Sequence, residues 1–305
     1  MSATRKRIFI SLGAICLSLI SVEIGLRVVG LHELPMYETS DKYEYRFVPN
    51  QRCSVFGKNL IINNLGLRGE LPDGTNNAII WYCGDSVING GIHTHEDSLA
   101  TTIWDKQTEN HFDSRITTVN VSQGSWGPEN TLSFCKQHRS ELGTPTLIVL
   151  AVSSHDWNDR MTFCYDGHTK DMPSHNYGAL ANAFNKYFGR THSCVNKADN
   201  DALPKGIEFD QWLQFSRELK TKMVLYLHPT IEEIQACKYN SDGNQILKWA
   251  GNNEVLVCKG LEILTEIGFR DNIHLKERGQ RELANLWMSC LEFPGDIAAR
   301  RSTNI

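Results

Sequence analysis

Four short apolar runs constrain this chain more than any other feature: "AIIWYC" (78–83), "ITTVNV" (116–121), "TLIVLAVS" (146–153) and "KMVLYLHP" (222–229). Each has the length of a strand, and the third is apolar on both faces. Stretches of helical character lie between and after them. "EDSLATTIWDKQTEN" (96–110) carries acidic residues in its first turn, and "PENTLSFCKQHRSEL" (128–142) opens on a proline, whose missing N–H costs nothing there. "KERGQRELANLWMSCL" (276–291) is amphipathic. Buried strands alternating with helices make a parallel sheet covered on both sides. The expected fold is therefore α/β, a three-layer α/β/α arrangement around a central parallel sheet, over residues 77–295. In such sheets function gathers at the carboxyl ends of the strands.

With 305 residues, 41% hydrophobic and 22% charged, the chain has room for one large core or two small ones. A net charge of -4, with no basic block beyond Arg5-Lys6-Arg7, argues against a nucleic-acid partner. That block instead precedes "IFISLGAICLSLISV" (8–22), 15 uncharged residues. A membrane span needs ~20 residues, a length reached when the run is extended through Glu23 to about Val29. Glu23 then lies toward one end, where a carboxylate reaches the headgroups. The basic residues place the N-terminus in the cytoplasm and everything after the run outside it, periplasmic or extracellular. "SVEIGLRVV" holds no small-residue cleavage site, and Ile15 is too bulky to precede a lipidated Cys16. The expectation is an uncleaved single-pass anchor over 8–30, after a cytoplasmic tail (1–7). A turn-rich lead-in (31–76) follows, and residues 296–305 form a C-terminal tail.

Of nine cysteines, Cys16 falls in the anchor. The other eight (Cys53, Cys83, Cys135, Cys164, Cys194, Cys237, Cys258 and Cys290) permit disulfides in an exported domain without selecting a pairing. Cys83 and Cys135 sit in apolar patterns and read as buried thiols. There is no CxxC, and the spacing of His168, His175 and His192 matches no ligand pattern, nor does that of His93 and His95. No metal and no cofactor is expected.

Polar, turn-rich clusters follow the core elements in order. Ser86 stands just past the first run in "WYCGDSVINGG" (81–91), in a glycine-containing turn that opens a helix. That placement exposes its hydroxyl near a positive helix end. Position 88 is Ile, so the G-x-S-x-G elbow is not matched. A serine nucleophile needs a base, and His274 in "FRDNIHLKERGQ" lies just before the last helix. Asp271, three residues earlier, is close enough for one turn to carry both. An Asp so placed holds the imidazole tautomer and stabilises the imidazolium. The competing reading is a local turn capped by Asp271 with His274 packed on the helix. Oxyanion donors must converge on one point. "NVSQGSWGPEN" (120–130) offers Gly124 and Gly127, which allow close backbone approach. "SSHDWND" (153–159) crowds His155, Asp156, Asn158 and Asp159 at a strand end.

Together these blocks resemble the SGNH, or GDSL, hydrolase family. "GDSV" (84–87) resembles its nucleophile block, "VNVSQGSWG" (119–127) its glycine block, "VLAVSSHDWND" (149–159) its asparagine block and "DNIHL" (271–275) its closing block. "NNLGLRGE" (63–70) is similar to a segment of membrane-anchored members. The likeness covers roughly 60–291. It implies a flavodoxin-like sheet and a triad of Ser86, His274 and Asp271, with Gly84, Asp85 and Asp156 in support. It also implies an oxyanion hole that includes the Ser86 backbone N–H. Two departures stand out. Ser125 occupies the place of the family's glycine, with Gly124 one residue earlier, so either backbone N–H is a donor. His155 aligns with the family's asparagine, "SSHD" replacing "GTND". Neutral imidazole has one N–H and can stand in for the amide, and Asn158 is the other donor within reach.

The resemblance implies a serine esterase acting on acyl esters, chiefly O-acetyl groups, of an extracytoplasmic carbohydrate. The aromatic and polar segment at 157–195 suits a glycan. An O-acyltransferase on an exported polysaccharide would use the same triad. A catalytically weak or inactive glycan-binding protein that keeps the fold is the third reading, prompted by His155. Lipid or thioester substrates fit less well, because no long apolar flap is visible.

Overall fold

The computed structural model describes residues 3–72, 78–109, 116–163, 173–189 and 204–291. Its first element is α1 (Ala3–Val28), which buries no residue and is long and apolar enough to cross a membrane. Two antiparallel hairpins follow: β1 (Tyr37–Ser40) with β2 (Glu44–Phe47), and β3 (Gln51–Val55) with β4 (Lys58–Ile62). The central sheet is built from β5 (Ala78–Gly84), β6 (Ile116–Ser122), β7 (Leu147–Ser153), β8 (Lys222–His228) and β9 (Leu256–Lys259). All neighbours are parallel and the spatial order is β6-β5-β7-β8-β9. This is the 2-1-3-4-5 order of a flavodoxin-like doubly wound sheet, whose crevice opens between its first and third strands, here β5 and β7.

The strands are apolar on both faces because both faces are covered. Successive side chains of β5 point to opposite sides. Ile80 and Tyr82 join a core with Trp104 of α3 (Ala100–Glu109) and Leu283 and Trp287 of α10 (Glu277–Cys290). Tyr82 and Trp287 stack with ring centroids 4.1 Å apart. Trp81 and Cys83 face the other core, with Phe134 of α4 (Pro128–Gln137), Trp212 of α7 (Ile207–Glu218) and Ile246 of α9 (Ser241–Asn252). Fully burying one such side chain contributes ~1.5–3 kcal/mol, so each layer is held by several independent anchors. The shorter helices α2 (Ser86–Asn89), α5 (Arg139–Leu142) and α8 (Ile231–Ala236), with α6 (Ala179–Phe188), complete the chain.

The expected three-layer α/β/α fold is present, with the four apolar runs as strands. A fifth strand, β9, and helices α7 and α9 were not anticipated. The helix expected over 96–110 begins at Ala100, after a short 3-10 turn over Glu96–Ser98. The one expected over 128–142 breaks at His138 into α4 and α5. Tyr37, Tyr45, Phe47, Val55, Leu60 and Leu67 of the lead-in enter the same core as Trp81 and Trp212. Arg68 forms isolated β-bridges with both Ile62 and Asn120, which fastens the second hairpin against the β6 edge and covers it.

Cys258 and Cys290 form a disulfide that ties β9 to the end of α10. Cys83 and Cys135 are free, fully buried thiols with sulfurs 3.8 Å apart, as their apolar surroundings suggested. His168, His192, Cys164, Cys194 and the tail at 296–305 lie outside the described residues.

Candidate active site

The first block is built on close approach. Gly84 ends β5 where an added Cβ would stand 3.0 Å from Ile88 Cγ1 and 3.1 Å from Ala151, so glycine lets the chain turn this near β7 without displacing either. Asp85 caps α2, its carboxylate accepting the Val87 N–H at 2.9 Å. Ser86 is the first residue of that helix, and Gly90, at φ 71°, ends it after one turn.

A four-residue helix does not hold itself. Its exposed carbonyls are taken by side chains from three distant elements. The Gln280 amide of α10 donates to Val87 O at 3.1 Å. The Asn120 amide of β6 donates to Ile88 O at 3.0 Å. The wholly buried Arg68 guanidinium donates to Asn89 O at 2.8 Å, to Gly91 O at 2.7 Å and to Thr94 O at 2.9 Å, and it pairs with Glu96 at 3.1 Å. Sequence reasoning missed Asn120 and Gln280 as parts of the site and saw Arg68 only as one letter of "NNLGLRGE". The signal available for Asn120 was an amide inside an apolar strand.

His274 reaches in from the loop before α10. Its Nε2 lies 2.8 Å from Ser86 Oγ, and its Nδ1 lies 2.8 and 2.9 Å from the two Asp271 oxygens. Nδ1–H donates to the carboxylate, which leaves Nε2 as the acceptor facing the serine hydroxyl. Asp271 Oδ1 also accepts the backbone N–H groups of Ile273 at 3.2 Å and His274 at 2.8 Å. Partial burial pushes the Asp271 carboxyl up, but these N–H groups and the imidazole outweigh it and hold it down at about 2. Behind the loop, His228 donates from Nε2 to Ile273 O at 2.8 Å and accepts Tyr226 O–H at Nδ1, 2.6 Å away. Burial lowers its pKa to about 4, so it stays neutral and keeps that tautomer.

The loops after β6 and β7 flank the serine. Gly127 lies close to the next loop: a Cβ there would meet Asp159 Oδ2 at 2.8 Å, and that side chain would have to shift. Gly124 does not, contrary to expectation: a Cβ there has nothing within 4 Å, and its carbonyl accepts Tyr45 O–H at 2.7 Å. The residue with the glycine-like backbone is Ser125, at φ 60°. His155 and Asn158 lie on a 3-10 turn, Ser154–Asn158, at the end of β7. The His155 side chain is 54% exposed and its Nδ1 lies 2.9 Å from Ser153 Oγ. Asn158 is exposed. Asp156 is buried and accepts from Ser153 N at 2.6 Å and Ser153 Oγ at 3.0 Å. Burial, reinforced by Asp85 and Asp159, pushes its carboxyl up to about 7. Burial also raises Asp85 and Asp159, and in all three acids the His155 imidazole opposes the shift.

The structure thus joins Ser86, His274 and Asp271 in one hydrogen-bonded line, with Gly84 and Asp85 at its root. Gly124 and Ser125 stand on one flanking loop, His155, Asp156 and Asn158 on the other. Among the described residues no group of three His, Cys, Asp or Glu is placed to hold a metal ion.

No protein-family model and no curated protein sequence matches the chain. Solved structures do. A lipolytic G-D-S-L family protein from Veillonella parvula is 12% identical, with a TM-score of 0.42, and the match covers 70% of this chain and 97% of that one. TesA is 14% identical at a TM-score of 0.46, covering 70% and 98%. The acetyl xylan esterase AlAXEase is 15% identical at 0.41, covering 70% and 100%. The likeness is one of fold.

Proposed function

We propose that this chain is a serine esterase of the SGNH, or GDSL, hydrolase family that removes acyl groups, chiefly O-acetyl, from an extracytoplasmic carbohydrate. The observation that carries the reading is the line from Ser86 Oγ through His274 to Asp271, each step 2.8 Å. His274 Nε2 takes the proton as Ser86 Oγ attacks the ester carbonyl. Asp271 keeps the imidazole oriented and stabilises its charged form. The oxyanion is held by the Ser86 N–H and the Gly124–Ser125 loop, with His155 or Asn158 as the third donor. His274 returns the proton to the departing alcohol, and water then releases the acyl group. One oxyanion donor is worth ~2.7–4 kcal/mol in a serine hydrolase, so the His155 loop also governs rate. The polar and charged surroundings of the line, His93, His155 and Arg270, support a small acyl group on a polar carrier. The Cys258–Cys290 disulfide supports an oxidising compartment for the domain.

The test is direct. The full chain in detergent should react with a fluorophosphonate probe at Ser86 and release p-nitrophenol from its acetate. Ser86→Ala should lose both, and Asp271→Asn should lower kcat by on the order of 10⁴. Hydrolysis unchanged in Ser86→Ala would end the proposal. Net acetyl gain on a glycan acceptor in competition with water would reassign the same triad to acyl transfer.

A further inference from the structure

The contact between α1 and α6 has no part in the triad. Glu23, inside the first helix, accepts the backbone N–H groups of Leu180 at 2.7 Å and Ala179 at 3.3 Å, and pairs with Arg27 at 2.7 Å. It thereby caps α6 from another element. Asn182 of α6 adds a bond to Leu31 O at 2.8 Å. These contacts use the α6 face that carries Ala179, Asn182 and Ala183, which are buried. The adjoining face carries Leu180, Phe184, Tyr187 and Phe188, which are 38%, 63%, 63% and 75% exposed. Their spacing, i, i+4, i+7 and i+8, makes a single apolar stripe. A contiguous stripe of this kind marks a surface that another phase or molecule covers.

We propose that this stripe enters the headgroup–acyl boundary of the leaflet from which α1 emerges, making α6 an interfacial helix beside a membrane span. The inference rests on reading α1 as that span. Glu23 is the first charge after fifteen uncharged residues, so it sits at headgroup depth. The hydrogen bond to Leu180 fixes the first turn of α6 at the same depth. Two phenylalanines, a tyrosine and a leucine at that level are the side chains an interfacial helix buries, and they continue the apolar surface of α1.

The experiment places the photo-crosslinker p-benzoylphenylalanine singly at Phe184, Tyr187, Phe188, Asn185 and Leu17 of the full chain. The variants are reconstituted in vesicles of phosphatidylethanolamine and phosphatidylglycerol with alkyne-tagged acyl chains. Lipid adducts at Phe184, Tyr187 and Phe188 and in the span at Leu17, with loss of adduct at Asn185 on the polar side of α6, are expected. Adduct at Leu17 with none at the three α6 positions overturns the inference and leaves the span reading intact. No adduct at Leu17 or on α6 overturns both.

Discussion

Ser125 occupies the left-handed region at φ 60°, which costs an L-residue ~1–2 kcal/mol and glycine nothing. Its side chain is exposed but hydrogen-bonds the buried Tyr45 hydroxyl, which offsets part of the strain. Ser125→Gly should relieve it, less ~0.5–1 kcal/mol for the added freedom of the unfolded chain and ~0.5–1.5 kcal/mol for the lost bond to Tyr45. A stability within ~1 kcal/mol of the wild type, with esterase activity retained, is the expected result, because relief and cost nearly cancel; a fall of more than ~2 kcal/mol in urea unfolding would mean the backbone strain is not there. The residue here is not glycine, yet the backbone takes a conformation that glycine adopts without cost. His155 is the opposite case. An imidazole is free to face Ser86 from this loop, but its Nδ1 lies 2.9 Å from Ser153 Oγ. Neither outcome was legible in the sequence, because a residue type states what a backbone prefers and not what its neighbours impose.

At the scale of elements, the loop that carries Asp271 and His274 is braced from behind by His228. The His228 pKa is about 4 in the folded chain against the ordinary value near 6.5. Between those values the unfolded chain binds a proton that the folded one does not. The stability His228 contributes is therefore full above about pH 6.5 and lost as pH falls to about 4, roughly 3 kcal/mol at ~1.36 kcal/mol per unit. Asp156, raised to about 7, acts with the opposite sign, because the folded chain takes up its proton first as pH falls from 7. The wild-type profile sums the two, so the difference from His228→Gln isolates the first. Gln keeps a donor for Ile273 O and cannot titrate. Urea unfolding of both chains across pH 7 to 4 should show the wild type losing roughly 3 kcal/mol more than the variant; parallel curves would remove His228 from this role. The helix α2 makes the same point in packing terms. Its turn was legible in "GDSVINGG", whereas the grip of Arg68, Asn120 and Gln280 on its carbonyls depends on elements remote in sequence.

For the molecule as a whole, the short strand β9 depends on the covalent tie from Cys258 to Cys290. The bridge closes a loop across 32 residues of sequence separation, worth roughly 3–4 kcal/mol on the chain-entropy model. Cys258→Ser with Cys290→Ser should therefore lower the urea midpoint, as should reduction by dithiothreitol, and dithiothreitol should lower the midpoint of the double variant less than that of the wild type. Equal stability with and without the bridge would show that packing of α10 alone holds this edge. The four long strands need no such tie, since each is buried on both faces by helices.

The sequence by itself determined what is local. Apolar runs of strand length selected the sheet, a Gly-Asp-Ser turn placed a hydroxyl at a strand end, and a three-residue step put Asp271 on His274. Periods and short spacings act through neighbours along the chain, so they can be read from it. The tertiary structure decided what is distant. It brought His274 to Ser86 across 188 positions, chose Cys290 as the partner of Cys258, and set Glu23 on the first turn of α6. Those meetings follow from how the layers pack, and packing is a property of all the side chains at once.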